Sequence, residues 1–203
     1  MLDNFFLKKN IKKVLLTIAI VAAGFTANAQ NKNEVKGGFA QEDIYVSGSV
    51  GYSKMSGAGD VSIYTFSPSV GYFVSENIAL ELGLAISGSE NGAAESTAFG
   101  VKAGADYFFT PKNDFSFVVG AGLGYTTYKT ETAGIEGPDR NTFSLDVSPG
   151  INYFVSKSIA LKASVGALSY SSSKVDITGA KSVNSFGLNL NLSNVNFGLT
   201  YKL

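Results

Sequence analysis

The sequence predicts an all-β fold, an eight-stranded antiparallel up-and-down transmembrane β-barrel with short turns at one end and longer loops at the other. Three observations carry this. From Ile44 onward, apolar residues fall on every second position, the period of a strand with one apolar face. The alternating segments run to about ten residues or more, the length of a tilted strand that crosses a bilayer, whereas strands in soluble domains average about 5–6. A turn sequence recurs along the chain, and between its copies lie longer connections that are unlike one another.

Composition narrows the field before any motif is read. The chain has 203 residues, enough for one domain, with 16 basic and 16 acidic side chains. Such a balance argues against nucleic acid as a partner, because phosphate binding draws on an excess of Lys and Arg. Charged residues are 16% of the total, well under the roughly 25% of a soluble domain. Cys and His are both absent. Disulfides, thiolate metal sites and cysteine nucleophiles are therefore excluded, as are the usual general base and the commonest transition-metal ligand.

The N-terminus reads as an address. Lys8, Lys9, Lys12 and Lys13 precede an apolar run from Val14 to Gly24, followed by Ala27-Asn28-Ala29. A basic region, a short apolar region and an A-x-A site together predict a secretory signal peptide over 1–29, cleaved between Ala29 and Gln30. The rival, a helical anchor, needs roughly 20 apolar residues, and this run is about half that. Loss of 1–29 removes four lysines and one aspartate and leaves 12 basic against 15 acidic residues, a net charge of −3. Residues 30–43 are polar without an apolar period and predict a flexible leader; the barrel domain follows over 44–203.

The strands follow in order. Ile44, Val46, Val50 and Tyr52 face one way, and Tyr64, Phe66, Pro68, Val70 and Tyr72 form the apolar face of the next segment. Ile78, Leu80, Leu82, Leu84 and Ile86 come third; Thr97, Phe99, Val101, Ala103, Ala105, Tyr107 and Phe109 fourth. Phe115, Phe117, Val119, Ala121, Leu123 and Tyr125 are fifth, and Phe143, Leu145, Val147, Pro149, Ile151 and Tyr153 sixth. Ile159, Leu161, Ala163, Val165 and Ala167 form the seventh. The last stretch changes phase: Phe186, Leu188, Leu190 and Leu192 share one parity, and Val195, Phe197, Leu199, Tyr201 and Leu203 the other. A β-bulge near Ser193-Asn194 within one long strand explains the change. A tight turn that starts a ninth strand is the alternative, but closure with both ends on one side favours an even count.

The repeat sets the topology. Ser67-Pro68-Ser69-Val70-Gly71-Tyr72-Phe73-Val74-Ser75-Glu76-Asn77-Ile78-Ala79-Leu80 recurs 81 positions on, from Ser148-Pro149 through Tyr153-Phe154-Val155-Ser156 to Ile159-Ala160-Leu161. A looser copy runs from Asp106-Tyr107-Phe108 to Phe115. Each copy is a strand end, a short polar turn and a new strand. The connections around 54–60, 88–95, 129–140 and 171–182 are longer and richer in Gly, Ser, Thr and charge. Short turns on one side and long loops on the other match bacterial outer-membrane barrels, short on the periplasmic side and long outside. Tyr72, Phe73, Tyr107, Phe108, Tyr153 and Phe154 then fall where a periplasmic aromatic girdle belongs.

With these Tyr-Phe-Val-Ser turns and the end Phe186-Gly187-Leu188-Asn189-Leu190 through Phe197-Gly198-Leu199-Thr200-Tyr201-Lys202-Leu203, the chain resembles the small outer-membrane β-barrel family. The likeness is to the transmembrane domain of outer membrane protein A and to opacity-type porins, and most of all to outer-membrane barrels of Bacteroidetes. It covers Ile44 to Leu203. It implies a monomer in the bacterial outer membrane, in contact with its lipids and lipopolysaccharide and inserted by the barrel-assembly machinery. Phe197, Tyr201 and Leu203 are the assembly signal it implies. Such proteins usually end in Phe, and this chain ends in Leu203.

The face opposite the apolar one is small and polar, with Gly83, Gly100, Gly104, Gly120, Gly122, Gly124, Ser148, Gly150, Ser164 and Gly166. An eight-stranded barrel has an interior only wide enough for side chains. Glu81, Lys102, Asp106, Asp146 and Lys162 share that face. Buried ions of opposite sign must pair, because an unpaired one costs several kcal/mol, so these five predict an interior charge network. It acts as a plug or, alternatively, as the gate of a narrow ion path.

Other chemistry is sparse. Gly120-Ala121-Gly122-Leu123-Gly124 has the look of a nucleotide-binding loop but lies in a strand pattern with no helix after it. Glu90, Glu95, Glu131, Glu136 and Asp139 are acidic, but their spacing matches no Ca²⁺ loop. Lipid A deacylases resemble this fold and use a His that is absent here. No cofactor, metal site or catalytic residue is predicted. The expected function is a non-enzymatic outer-membrane barrel with a structural or surface-interaction role. A narrow porin-like channel and a soluble exported barrel with an apolar ligand are the alternatives.

Overall fold

The computed structural model describes residues 36–55, 60–166, 168–188 and 195–203. The predicted signal peptide and its cleavage residues Ala27, Ala29 and Gln30 lie outside them. The strands are β1 Ile44–Met55, β2 Val61–Phe73, β3 Ile78–Asn91, β4 Ala94–Phe108, β5 Phe115–Thr132, β6 Ile135–Glu136, β7 Arg140–Phe154, β8 Ile159–Val165, β9 Leu168–Val175, β10 Val183–Leu188 and β11 Val195–Lys202. All pairings are antiparallel. The β1–β2–β3–β4–β5 ladder continues through β7, then β8 and β9, then β11 and β10, and β11 returns to β1. Because β8 and β9 both pair with β7, they are two halves of the seventh barrel strand. β10 and β11 are likewise two halves of the eighth. The barrel is closed and eight-stranded.

The repeated turn has one hydrogen-bond pattern in both copies. The amides of Val74 and Ser75 donate to Ile78 O, and Ile78 N–H donates back to Ser75 Oγ at 3.1 Å. Val155, Ser156 and Ile159 repeat this, with Ile159 N–H on Ser156 Oγ at 3.0 Å. The serine hydroxyl thus satisfies the first amide of the next strand, which is why the sequence keeps Ser at this position.

At the other end, much of what the sequence presents as loop is paired strand. β3 and β4 meet through residues 92–93 alone, with Asn91 opposite Ala94. β5 runs to Thr132 and turns on Ala133 and Gly134, whose φ angles of +51° and +81° suit the twist of a two-residue hairpin. The stretch 171–182 also begins in β9. These extensions carry Ser, Thr and Glu on both faces, so the apolar period stops while backbone pairing goes on.

The seventh strand holds a bulge that its apolar pattern conceals. Gly150 pairs with Ser164, whereas Val147 pairs with Leu168, so two residues of β7 face three of its partner. Pro149 stands opposite the break, and a proline, lacking an N–H, belongs where the ladder is interrupted. The outward face passes from Leu161 to Leu168 and Tyr170, so the parity expected to continue through Ala167 changes instead. In the eighth strand, outward Phe186 and Leu188 give way to outward Phe197, Leu199 and Tyr201. The change expected near Ser193-Asn194 falls within 189–194, outside the described residues.

Candidate functional site

The outer face of the barrel is apolar, with Leu82, Phe99, Val101, Phe117 and Leu123 at least half exposed. Chemistry is therefore confined to the lumen and the hairpin tips. The lumen has two layers.

At the short-turn end it is filled by rings. Phe73, Phe108 and Phe154 are 0–2% exposed and cluster with Tyr45, Phe39, Val118, Ala79 and Ala160. This corrects the six-residue aromatic girdle. Tyr72, Tyr107 and Tyr153 are 43–48% exposed on the outer face, and each following Phe points inward. Neighbours on a strand face opposite sides, so a Tyr-Phe pair divides between lipid and lumen. The outer aromatics beside the tyrosines are Phe109, Phe115 and Phe117, in the edge-on pairs Tyr107–Phe109 and Phe115–Phe117.

Above the rings lies the charge layer. Lys162 on β8 reaches Glu81 on β3 at 3.4 Å and hydrogen-bonds Asp106 on β4. Glu81 and Asp106 are close because Glu81 pairs with Gly104, two residues before Asp106. The Tyr45 hydroxyl donates to Glu81 Oε2 at 3.0 Å. Tyr45 sits at an inward parity otherwise given to small residues, and Gly71 leaves room for its ring. No buried side-chain polar atom among the described residues lacks a hydrogen bond. Lys102 and Asp146, the other two predicted members, line the same cavity as this triad but form no ion pair with it. That cavity, of about 450 Å³, is also lined by Ser47, Thr65, Ser148 and Ser164, and neither charge has an ion-pair partner among the described residues.

Glycines open this cavity. Gly120, Gly122 and Gly124 lie within β5, and side chains of Asp106, Asp146 and Lys102 occupy the space beside them. The GAGLG run is thus a packing stripe. At the hairpin tips Glu90 pairs with Glu95, Glu95 with Glu131, and Glu131 with Glu136. No group of three such residues is arranged to hold a metal ion among the described residues. Phe197, Tyr201 and Leu203, the predicted assembly signal, all face outward on or just after β11.

Residues 36–43 fall in the segment read as a flexible leader, yet Phe39 is 2% exposed within the ring cluster. The sequence does carry a sign of this. Phe39 is the one large aromatic side chain of that polar stretch, directly after Gly37-Gly38.

The outer membrane protein beta-barrel domain family matches residues 15–202. Among solved structures the chain is similar to Neisserial surface protein A, at 18% identity and a TM-score of 0.52, covering 79% of this chain and 97% of that one. It is also similar to the outer membrane protein OprG from Pseudomonas aeruginosa, at 12% identity and a TM-score of 0.51, covering 84% and 99%. At these identities the likeness is one of fold. No curated protein matches the chain.

Proposed function

Because the chain belongs to the outer membrane protein β-barrel domain family and so resides in the bacterial outer membrane, we propose that it is a non-enzymatic, non-conducting barrel that serves as a structural element there and presents its hairpins for surface interaction. The observation that carries this is the two-layer filling of the lumen. Rings from four strands close the short-turn end, and the Lys162–Glu81–Asp106 triad lies directly above them. Ion transfer would have to pass the layer that the five aromatic rings fill and shed water there. The sequence, with no His and no Cys, supports the non-enzymatic part.

A narrow channel is the competing reading, favoured by the cavity and by Lys102 and Asp146, which line it without an ion-pair partner among the described residues. A soluble carrier of an apolar ligand does not fit, since the outer face is apolar and the cavity is lined with serine, glycine and charge. The proposal extends to a monomer that reaches the membrane after cleavage behind Ala29 and is inserted by the barrel-assembly machinery. Gln30 as the first residue of protein recovered from outer membranes checks the cleavage. Planar-bilayer recording tests the main claim. The purified barrel should add no discrete current steps, and steps that vanish in Lys162→Ala would establish a channel instead.

A further inference from the structure

We propose that residues 36–39, held to β1 by the turn at 40–43, form a latch that docks only after the barrel has closed, and that once docked it holds the seam between the first and last strands. The contacts of Gly37, Gly38 and Phe39 point this way. The Phe39 ring lies 4.7 Å from Phe73, 4.9 Å from Phe154, 5.3 Å from Tyr45 and 5.5 Å from Phe108, centroid to centroid. These four rings stand on β2, β7, β1 and β4. They surround one point only when those strands share a closed cylinder.

The backbone is held from equally distant places. Phe39 N–H donates to Pro111 O at 2.7 Å, and Gly37 N–H donates to Asp114 Oδ1 at 2.6 Å. The Lys202 ammonium donates to Gly38 O at 2.7 Å and pairs with Asp43 at 3.5 Å. Lys202 is on β11, directly opposite Tyr45 of β1, so this one side chain ties the segment across the seam. Residues 40–43 are prepared locally, by a turn in which Ala40 N–H donates to Asp43 Oδ2 at 2.8 Å and by Glu42 N–H on Phe73 O, which extends the β1–β2 hairpin. The contacts of Gly37 and Gly38 instead span 77 and 164 positions, and such contacts form only after their loops have closed.

The two glycines make the fit specific. Gly38 has φ +145°, and a Cβ there would lie 2.8 Å from the Lys112 backbone. A Cβ on Gly37 would enter the Phe154 ring. The segment therefore seats against finished walls, with a single apolar anchor filling the gap between Phe73 and Phe154.

The test is kinetic. The chain is refolded from urea into phospholipid vesicles, and its heat-modifiable gel mobility reports closure in both directions. A group that docks after the transition state alters unfolding and leaves folding alone. Phe39→Ala should fold within about two-fold of the parent rate and unfold at least about 100-fold faster, the low end of the scale of a buried Phe truncation. Gly38→Ala keeps the ring and should act in the same direction, and Phe39→Leu should restore much of the unfolding rate. Slower folding in Gly38→Ala and Phe39→Leu, or failure of Phe39→Ala to fold, would place the segment in the closure step and overturn the latch. Unchanged unfolding in all three variants would show that it does not dock.

Discussion

Lys162 meets Glu81 across the lumen at 3.4 Å, and the two occupy the same position in the two copies of the repeat. Ile78-Ala79-Leu80-Glu81 corresponds to Ile159-Ala160-Leu161-Lys162. Equivalent steps after equivalent turns give equivalent depth, so one repeat supplies the anion and the other the cation. Asp106, on the strand beside Glu81, is the second acceptor. The same correspondence holds for Phe73 and Phe154, and for Ala79 and Ala160, all buried.

Removal of the cation should expose this coupling. Lys162→Met leaves Glu81 and Asp106 facing each other without a counter-ion, a loss of about 3–5 kcal/mol. Adding Asp106→Asn should return part of it, since an uncompensated charge goes with it. Urea unfolding of single and double variants in vesicles measures the coupling, and strictly additive losses would mean that the residues act separately.

The division of each Tyr-Phe pair between lipid and lumen has its own signature. Phe73→Ala opens a cavity in the ring layer and should cost about 3–5 kcal/mol. Tyr72→Leu, next to it in sequence but on the outer face, should stay within about 1 kcal/mol of the parent. Equilibrium unfolding decides the matter, and comparable losses at both positions would contradict the assignment of faces.

Gly150 and Gly166 should respond differently to one methyl group. A Cβ on Gly150 would lie 2.5 Å from the Ala163 carbonyl oxygen, which is backbone and cannot swing away. Gly150→Ala should therefore destabilise by about 1–3 kcal/mol. Nothing lies within 4 Å of a Cβ on Gly166, at the bulge. Gly166→Ala should be neutral or stabilising by up to about 1 kcal/mol, through the unfolded chain. Thermal unfolding midpoints of the two variants give the comparison.

The outward aromatic face of β11 offers a test of assembly. Phe197 and Tyr201 both face outward on that strand. If they carry the assembly signal, Tyr201→Ala should lower the fraction inserted into outer membranes in a pulse-chase experiment, and an unchanged fraction would remove Tyr201 from that role.

Much of the lumen was legible in the sequence. Glu81, Lys102, Asp106, Asp146 and Lys162 were readable as inward by parity alone, because a strand's period of two assigns each residue a face. Which of them meet was not readable, since partners across a barrel depend on shear and on side-chain reach. Lys102 and Asp146 share the parity of the triad and its cavity but form no ion pair with it. The bulge after Val165 is hidden in the sequence for a simpler reason. Gly166 and Ala167 are small enough for either face, so the apolar pattern shows no slip until Leu168. Tyr45 was not legible because the rule that inward residues are small has an exception where a glycine opposite, here Gly71, makes room. Phe39 was not legible because its polar stretch has no apolar period to assign it a face.

By itself the sequence determined the all-β class, the closed count of strands, the face of nearly every residue and the end that carries the short turns. These follow from local periodicity and from turn chemistry. Only the tertiary structure decided what fills the barrel. Five rings from four strands and a polar leader gather at one end, and one lysine takes two carboxylates from the opposite wall. Such groupings depend on closure, which brings together residues that no local pattern relates.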